Sequence, residues 1–323
     1  MILVTGATGH IGNVLVRELL ARGKAVRALV LPGEDRRPLE GLQVEWMEGD
    51  VLDLASLERA MQGVDQVFHL AGIISIKSGK DALVRRVNLD GTRNILRAMR
   101  ACRVTRLVHT SSIHAFRDAP LDEQMDERQP FDPANARGEY DRSKAEATLE
   151  VLEAAREGMH AVIVCPTGVI GPFDYRGSEM GRVLLDCDRE APQFYIDGGY
   201  DFVDVRDVAQ GMILAGERGR RGECYILSGE RVTILDMIQA VRKVTGRPVR
   251  AVWLPLFLAH LASWLTPVYY TLTRTRPVFT RYALATLLSN SNISSAKARR
   301  ELGFTTRPAA ESIADTVKWF RKR

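Results

Sequence analysis

The first twelve residues, MILVTGATGHIG, constrain this chain more than any other stretch. Ile2, Leu3 and Val4 form an apolar run too short for a helix, and Gly6, Gly9 and Gly12 then recur at intervals of three before the amphipathic stretch Asn13 to Arg22. The pattern predicts a buried strand, a tight turn and a helix start. One glycine lets the chain bend sharply, a second lets the backbone lie against a bulky ligand, and a third lets the helix pack close to the strand. Exposed N–H groups at the helix start, with the positive end of the helix dipole, favour a pyrophosphate. Three glycines alone carry little weight. A strand before them and a helix after them is the context a dinucleotide turn requires.

The rest of the chain alternates between strand and helix patterns. Ala25 to Val30, Leu42 to Gly49, Val64 to Ala71, Leu107 to Ser112, Ala161 to Pro166 and Glu223 to Leu227 read as strands. Leu54 to Gln62, Asp81 to Arg103 and Glu139 to Glu157 read as helices. Such alternation predicts an α/β fold with a parallel sheet of about seven strands, wound on both sides. Residues 1–170 and 201–228 are expected to form the dinucleotide-binding domain. Residues 171–200 and 229–323 are expected to form a smaller, mostly helical substrate lobe over the carboxyl ends of the strands, where such sheets bind ligands. Within that lobe Thr233 is placed to cap a helix running to Gly246, Ser294 or Ser295 to start one stopping at Gly303, and Pro308 to open a last one ending near Phe320.

The apolar stretch Trp253 to Leu272 approaches the ~20 residues of a membrane span. Pro255, His260 and Pro267 interrupt it, and Arg274 and Arg276 follow, which favours two short helices over an apolar substrate pocket, with surface contact with a membrane as the alternative. The net charge of +5 and pI near 9.1 would suit nucleic acid, but the basic residues are interleaved with acidic ones, as on a solvated surface. The four cysteines show no CxxC pair and no histidine at ligand spacing, so no metal site is expected and reduced thiols in a cytoplasmic protein account for them. With the first strand expected to begin at residue 2, no signal peptide is expected ahead of it.

Tyr140 and Lys144, in YDRSK, stand four apart and share one helix face. A tyrosine with a pKa near ~10 is a poor acid or base at neutral pH, and a neighbouring ammonium lowers that value by favouring the phenolate. An exposed surface pair is the plain alternative. Ser111 and Ser112 end the fifth strand, where a sheet of this kind opens to its ligand. From there Ser112 would donate a hydrogen bond to a substrate oxygen while Tyr140 transfers the proton.

TGATGHIG, GDVLD (49–53), HLAG (69–72), NLDGT (88–92), TSS (110–112), YDRSK, PTGVIGP (166–172), FVDVRDVA (202–209) and the closing ELGF follow one another in the order of a known family. Over essentially its whole length the chain resembles the extended short-chain dehydrogenase/reductases, the NAD-dependent epimerase/dehydratase-like proteins with a Rossmann domain. The resemblance implies a catalytic triad of Ser112, Tyr140 and Lys144, with Lys144 also holding the nicotinamide ribose. It assigns the loop residues Gly6, Thr8, Gly9, His10, Ile11 and Gly12 to the cofactor, Asp50 and Val51 to the adenine, and Leu70, Ala71 and Gly72 to the phosphate and ribose side. Asn88 falls in the cofactor's neighbourhood or braces its own helix, and Pro166 and Thr167 fall beside the nicotinamide. His69 is expected to be a packed strand residue. Two subunits of this family commonly pair through the helices at 81–103 and 139–157, which implies a homodimer.

NAD-specific members end the second strand with an acidic residue. Here Val30 and Leu31 stand in that place, with Arg36 and Arg37 downstream as candidates for a 2′-phosphate or as solvated charges, so the expectation leans to NADP over NAD. Ser111-Ser112 replaces the Asp-Glu of the dehydratases, and Tyr200 and Asp204 replace the Arg and His of the sugar epimerases. VRALV, PTGVIGP and FVDVRDVA are more similar to dihydroflavonol reductases and 3β-hydroxysteroid dehydrogenases. The resemblance thus implies hydride transfer between a nicotinamide and a carbonyl or alcohol of a fairly apolar small molecule. A sugar epimerase with bound NAD and a non-catalytic dinucleotide sensor are the alternatives.

Overall fold

The computed structural model describes residues 1–75, 79–189, 191–260 and 281–323. In chain order its strands are β1 (Ile2–Thr5), β2 (Val26–Val30), β3 (Glu45–Glu48), β4 (Gln66–His69), β5 (Arg106–Thr110), β6 (His160–Pro166), β7 (Gly168–Ile170), β8 (Gln193–Tyr195), β9 (Gly199–Asp204), β10 (Cys224–Leu227), β11 (Glu230–Thr233) and β12 (Ala251–Trp253). Seven of them form one parallel sheet in the order β10-β6-β5-β4-β1-β2-β3. The order reverses between β1 and β4, which opens a crevice at their carboxyl ends.

Both faces of this sheet are covered, and the central strand shows why its sequence is apolar without alternation. Leu3 and Val4 are both fully buried but belong to different cores. Leu3 packs on the side of Ile95, Met99 and Val151, and Val4 on the side of Leu15, Val16, Val208 and Met212. A strand buried on both faces has no solvent side to mark with polar residues.

The expected strands are present, mostly trimmed at one or both ends. The stretch from Asp81 to Arg103 is not one regular helix. The Asp81 carboxylate caps Ala82–Arg85, a wide π turn occupies Arg86–Asp90, and Gly91–Ala101 continues as α-helix. Gly91 is required there, since a Cβ would lie 2.8 Å from Val51 Cγ2. The alternation read from the sequence also passes over a helix, Val205–Arg218, capped by the Asp204 carboxylate and packed beside His10–Ala21.

A small separate sheet is ordered β11-β9-β7, in which β9 runs parallel to β7 and antiparallel to β11. Because β9 spans 199–204, the expected domain boundary at residue 200 cuts through one strand. The short β8 pairs with β12. Ile234–Thr245 carries the capping box of Thr233 with Asp236 and ends at Gly246 in the left-handed conformation. Ala296–Leu302 ends at a left-handed Gly303, and Ala309–Arg321 follows Pro308. Of the apolar stretch 253–272, residues 261–272 lie outside the described residues, and 256–260 are helical. Among the described residues no helix is long and apolar enough to cross a membrane. All four cysteines are free, although Cys165 and Cys224 on adjoining strands bring their sulfurs to 3.1 Å.

Candidate active site

The opening turn is as tight as its glycines suggest. Gly6 has φ +66°, and a Cβ there would lie 2.8 Å from the Ala71 nitrogen. One on Gly12 would lie 2.1 Å from the Gly6 carbonyl oxygen. The helix His10–Ala21 starts with no side-chain cap and no acidic residue in its first turn. Its leading N–H groups and dipole are therefore available to an anion, and the cradle fits a dinucleotide pyrophosphate. His10 donates from Nε2 to the Pro172 carbonyl at 3.0 Å, Thr8 donates to Glu34 at 2.6 Å, and Ile11 packs against the core.

At the end of β2 the structure corrects one expectation. Leu31-Pro32-Gly33-Glu34 forms a turn closed by a bond from Glu34 N to the Leu31 carbonyl at 3.0 Å, with Gly33 at φ +73°. It folds the Glu34 side chain back so that its carboxylate accepts from Leu31 N at 2.8 Å. An acid does stand at this strand end, delivered from three residues further along. Arg36 pairs with Glu48 and lies 5.1 Å over the Trp46 ring, and Arg37 pairs with Asp35 at 2.7 Å.

Asp50 accepts from Leu52 N at 2.9 Å, and the carbonyl of the buried Val51 accepts from Asn94 Nδ2 at 3.0 Å. Thr5 Oγ1 accepts from the amides of Leu70 and Ala71 at 3.2 and 3.1 Å, which fixes the loop after β4 to the glycine turn. His69 lies between Thr5 Oγ1 at 2.8 Å and Thr92 Oγ1 at 3.1 Å, and burial pushes its pKa down to about 3. It is a neutral packing residue, as expected. Asn88 uses its amide wholly within the protein, accepting from Ile73 N at 2.8 Å and donating to the Ile73 carbonyl and Ser143 Oγ at 3.1 Å each. These bonds join the turn that carries Asn88 to the loop after β4 and to the helix Glu139–Arg156. Pro166 ends β6, and the buried Thr167 donates to Asp201 at 2.6 Å.

The two serines after β5 divide their work. Ser111 Oγ is tied to Thr148 Oγ1 at 2.6 Å inside the packed interior. Ser112 Oγ accepts from His114 N at 3.2 Å and lies close enough to the Tyr140 phenol to act on its pKa. Lys144 donates from Nζ to the Thr110 carbonyl at 2.8 Å. A Cβ on Gly72 would lie 3.4 Å from that nitrogen, so the loop after β4 passes directly against it. The hydroxyl, the phenol and the amine thus converge at the carboxyl ends of β4 and β5, beside the glycine turn.

Their electrostatics differ from the expectation. Burial pushes the Tyr140 phenol up to about 12, with the Ser112 hydroxyl acting against that rise, and pushes the Lys144 ammonium down to about 8. Desolvation, not the ammonium, dominates the phenol.

Four further side chains lie around the triad, and of these the sequence had singled out only Tyr200. Tyr200 Oη meets His114 Nε2 at 3.1 Å with the rings stacked 5.7 Å apart, and burial pushes His114 down to about 3. Tyr282 donates to Asp141 at 2.9 Å, and burial pushes that carboxyl up to about 6. On the outer side, ion pairs Arg85–Glu146 and Arg93–Glu150, both at 2.6 Å, join the two helical stretches expected to pair subunits.

This glycine cradle at the switch point of a parallel sheet, facing a Ser, Tyr and Lys cluster, is the arrangement of a dinucleotide-dependent oxidoreductase. The model of the NAD dependent epimerase/dehydratase family matches residues 2–228, and the chain belongs to that family, within the extended short-chain dehydrogenase/reductases. It is 37% identical to sterol demethylase protein B of Methylococcus capsulatus, over 99% of this chain and 98% of the relative. It is 33% identical to a putative dihydroflavonol 4-reductase of Synechocystis, over 98% of this chain and 94% of the relative. A farnesyl-dihydroquinoline-oxide ketoreductase of Stigmatella aurantiaca is 30% identical, over 98% and 95%. UDP-glucose 4-epimerase of Thermus thermophilus, solved with NAD, superposes with a TM-score of 0.79 at 26% identity, covering 99% of this chain and 98% of that one.

Proposed function

We propose that the protein transfers a hydride between a nicotinamide dinucleotide and the carbonyl or alcohol of a fairly apolar small molecule. The convergence of Ser112, Tyr140 and Lys144 beside the glycine cradle carries this reading. When bound, the nicotinamide supplies or accepts the hydride. Ser112 holds the substrate oxygen, and Tyr140 gives that oxygen a proton in reduction or removes it in oxidation. Lys144, anchored on the Thr110 carbonyl, presents its remaining N–H groups to the cofactor ribose and the phenol.

The apolar substrate is supported by the grouped rings of His114, Tyr200 and Tyr282 beside the triad, with the tyrosine ring centres 5.7 and 6.0 Å from that of His114. The names of the sterol, flavonoid and farnesyl-quinoline relatives point the same way. Glu34 at the end of β2 favours NAD(H), whose free ribose hydroxyl it would accept. Arg36, bound to Glu48, is the residue to free if NADP(H) is used instead.

The test is a panel of aldehydes, ketones, sterols, flavonoids and sugar nucleotides followed by nicotinamide absorbance. Turnover of an apolar ketone or alcohol supports the proposal. Conversion of a sugar nucleotide with no net absorbance change would make the protein an epimerase, and cofactor binding with no turnover across the panel would make it a sensor.

A further inference from the structure

The segment that follows β7 lies on the glycine turn. The Pro172 and Phe173 carbonyls accept from His10 Nε2 at 3.0 Å and Asn13 Nδ2 at 3.1 Å, and the Arg17 guanidinium sits 4.7 Å from the Phe173 ring centre. Phe173 itself has φ +68°, a conformation side chains rarely take, so these contacts rather than local preference hold the path. Three residues on, Arg176 donates to Thr8 Oγ1 at 2.7 Å and pairs with Glu34. Thr8 belongs to the turn, and the Glu34 carboxylate is fixed at the end of β2 by Leu31 N. One guanidinium from the second lobe therefore meets both places that a dinucleotide's pyrophosphate and adenosine ribose would occupy.

We propose that Arg176 is a cofactor-binding residue that exchanges Glu34 for a phosphate of the bound dinucleotide, and that the released Glu34 takes a hydroxyl of the adenosine ribose. The proposal rests on the dinucleotide reading above. Its chemistry is that of a planar five-donor fork, which suits phosphate better than the single hydroxyl and carboxylate it now holds. The Arg176 side chain is 56% exposed, so leaving Glu34 costs little. Glu34 keeps its bonds to Leu31 N and Thr8 after the exchange, and its charge then opposes a 2′-phosphate. The pair would thus supply affinity through Arg176 and a preference for NAD(H) through Glu34.

Titration of the full chain with NADH and NADPH by nicotinamide fluorescence, alongside melting curves of the ligand-free proteins, tests this. Arg176→Ala is expected to weaken NADH roughly ten- to a hundredfold and flatten the salt dependence of binding, with Arg176→Lys recovering part of the loss. Glu34→Gln is expected to shrink the preference for NADH over NADPH about tenfold or more. NADH binding by Arg176→Ala within about twofold of wild type, with a normal melt, overturns the role of Arg176. An unchanged NADH to NADPH ratio in Glu34→Gln overturns the role of Glu34. If the wild-type chain binds neither dinucleotide, the underlying reading fails and this proposal falls with it.

Discussion

Lys144 Nζ donates to the carbonyl oxygen of Thr110 at 2.8 Å, and that bond ties the helix carrying Tyr140 to the strand end carrying Ser112. The amine is buried, as are the phenol and the hydroxyl. Side chains locked by packing and a backbone acceptor hold a reacting geometry that exposed ones would lose to rotamer freedom.

Replacing Tyr140 by Phe removes the proton donor while keeping the ring that fills the site. Turnover is expected to fall about 10²–10⁴-fold. The affinity for NADH is expected to stay close to wild type. Steady-state rates beside a fluorescence titration separate the two effects, and retained turnover would refute the role of the phenol.

The lowered pKa of Lys144 gives a pH limb. The ammonium is charged below about 8 and neutral above it, and the phenol stays protonated to about 12. For carbonyl reduction, kcat/KM is expected to decline as pH rises through about 8, although the acid itself is still protonated. Lys144→Arg, if it retains activity, should move this limb to higher pH.

Asp141 makes stability, too, fall as pH rises. Its folded pKa of about 6 exceeds the usual carboxylate value, so the native state holds a proton that the unfolded chain releases. Its contribution is full below pH ~4 and lost as pH rises through the native value. Asp141→Asn should flatten this part of the profile, checked by urea unfolding at about pH 4.5 and about pH 7.

Removing the partner of that carboxyl has a separate cost. Tyr282→Phe leaves Asp141 Oδ1 buried without the donor it now has at 2.9 Å. A loss of about 1–3 kcal/mol in unfolding free energy is expected, read from the same denaturation curves.

The glycine turn is tested by Gly12→Ala. The new methyl would lie 2.1 Å from the Gly6 carbonyl oxygen, so the helix must back away from the turn. A destabilisation on the order of 2–3 kcal/mol and loss of NADH binding are expected together. Gly72→Ala is the contrast, since its methyl would press on Asn88 Oδ1 at 3.0 Å and Lys144 Nζ at 3.4 Å. It should lower kcat more than it lowers the melting temperature.

The sequence by itself determined the parallel sheet, the glycine turn and the pair of Tyr140 with Lys144, because each is a local pattern. A doubly buried strand is a continuous apolar run, a tight turn needs glycine, and residues four apart share a helix face. Helix ends at Thr233, Gly246 and Gly303 were legible for the same reason. Only the tertiary structure decided the environment. The phenol's rise to about 12 reflects burial that no neighbour in sequence reports, and the Asp141–Tyr282 bond joins residues 141 positions apart. Glu34 went unread, although the Pro32-Gly33 turn that folds it back is a local signal, and its meeting with Arg176 joins residues 142 positions apart. Turns and faces are set by the covalent chain within a few residues. Desolvation and long-range charge pairs exist only once distant segments have packed.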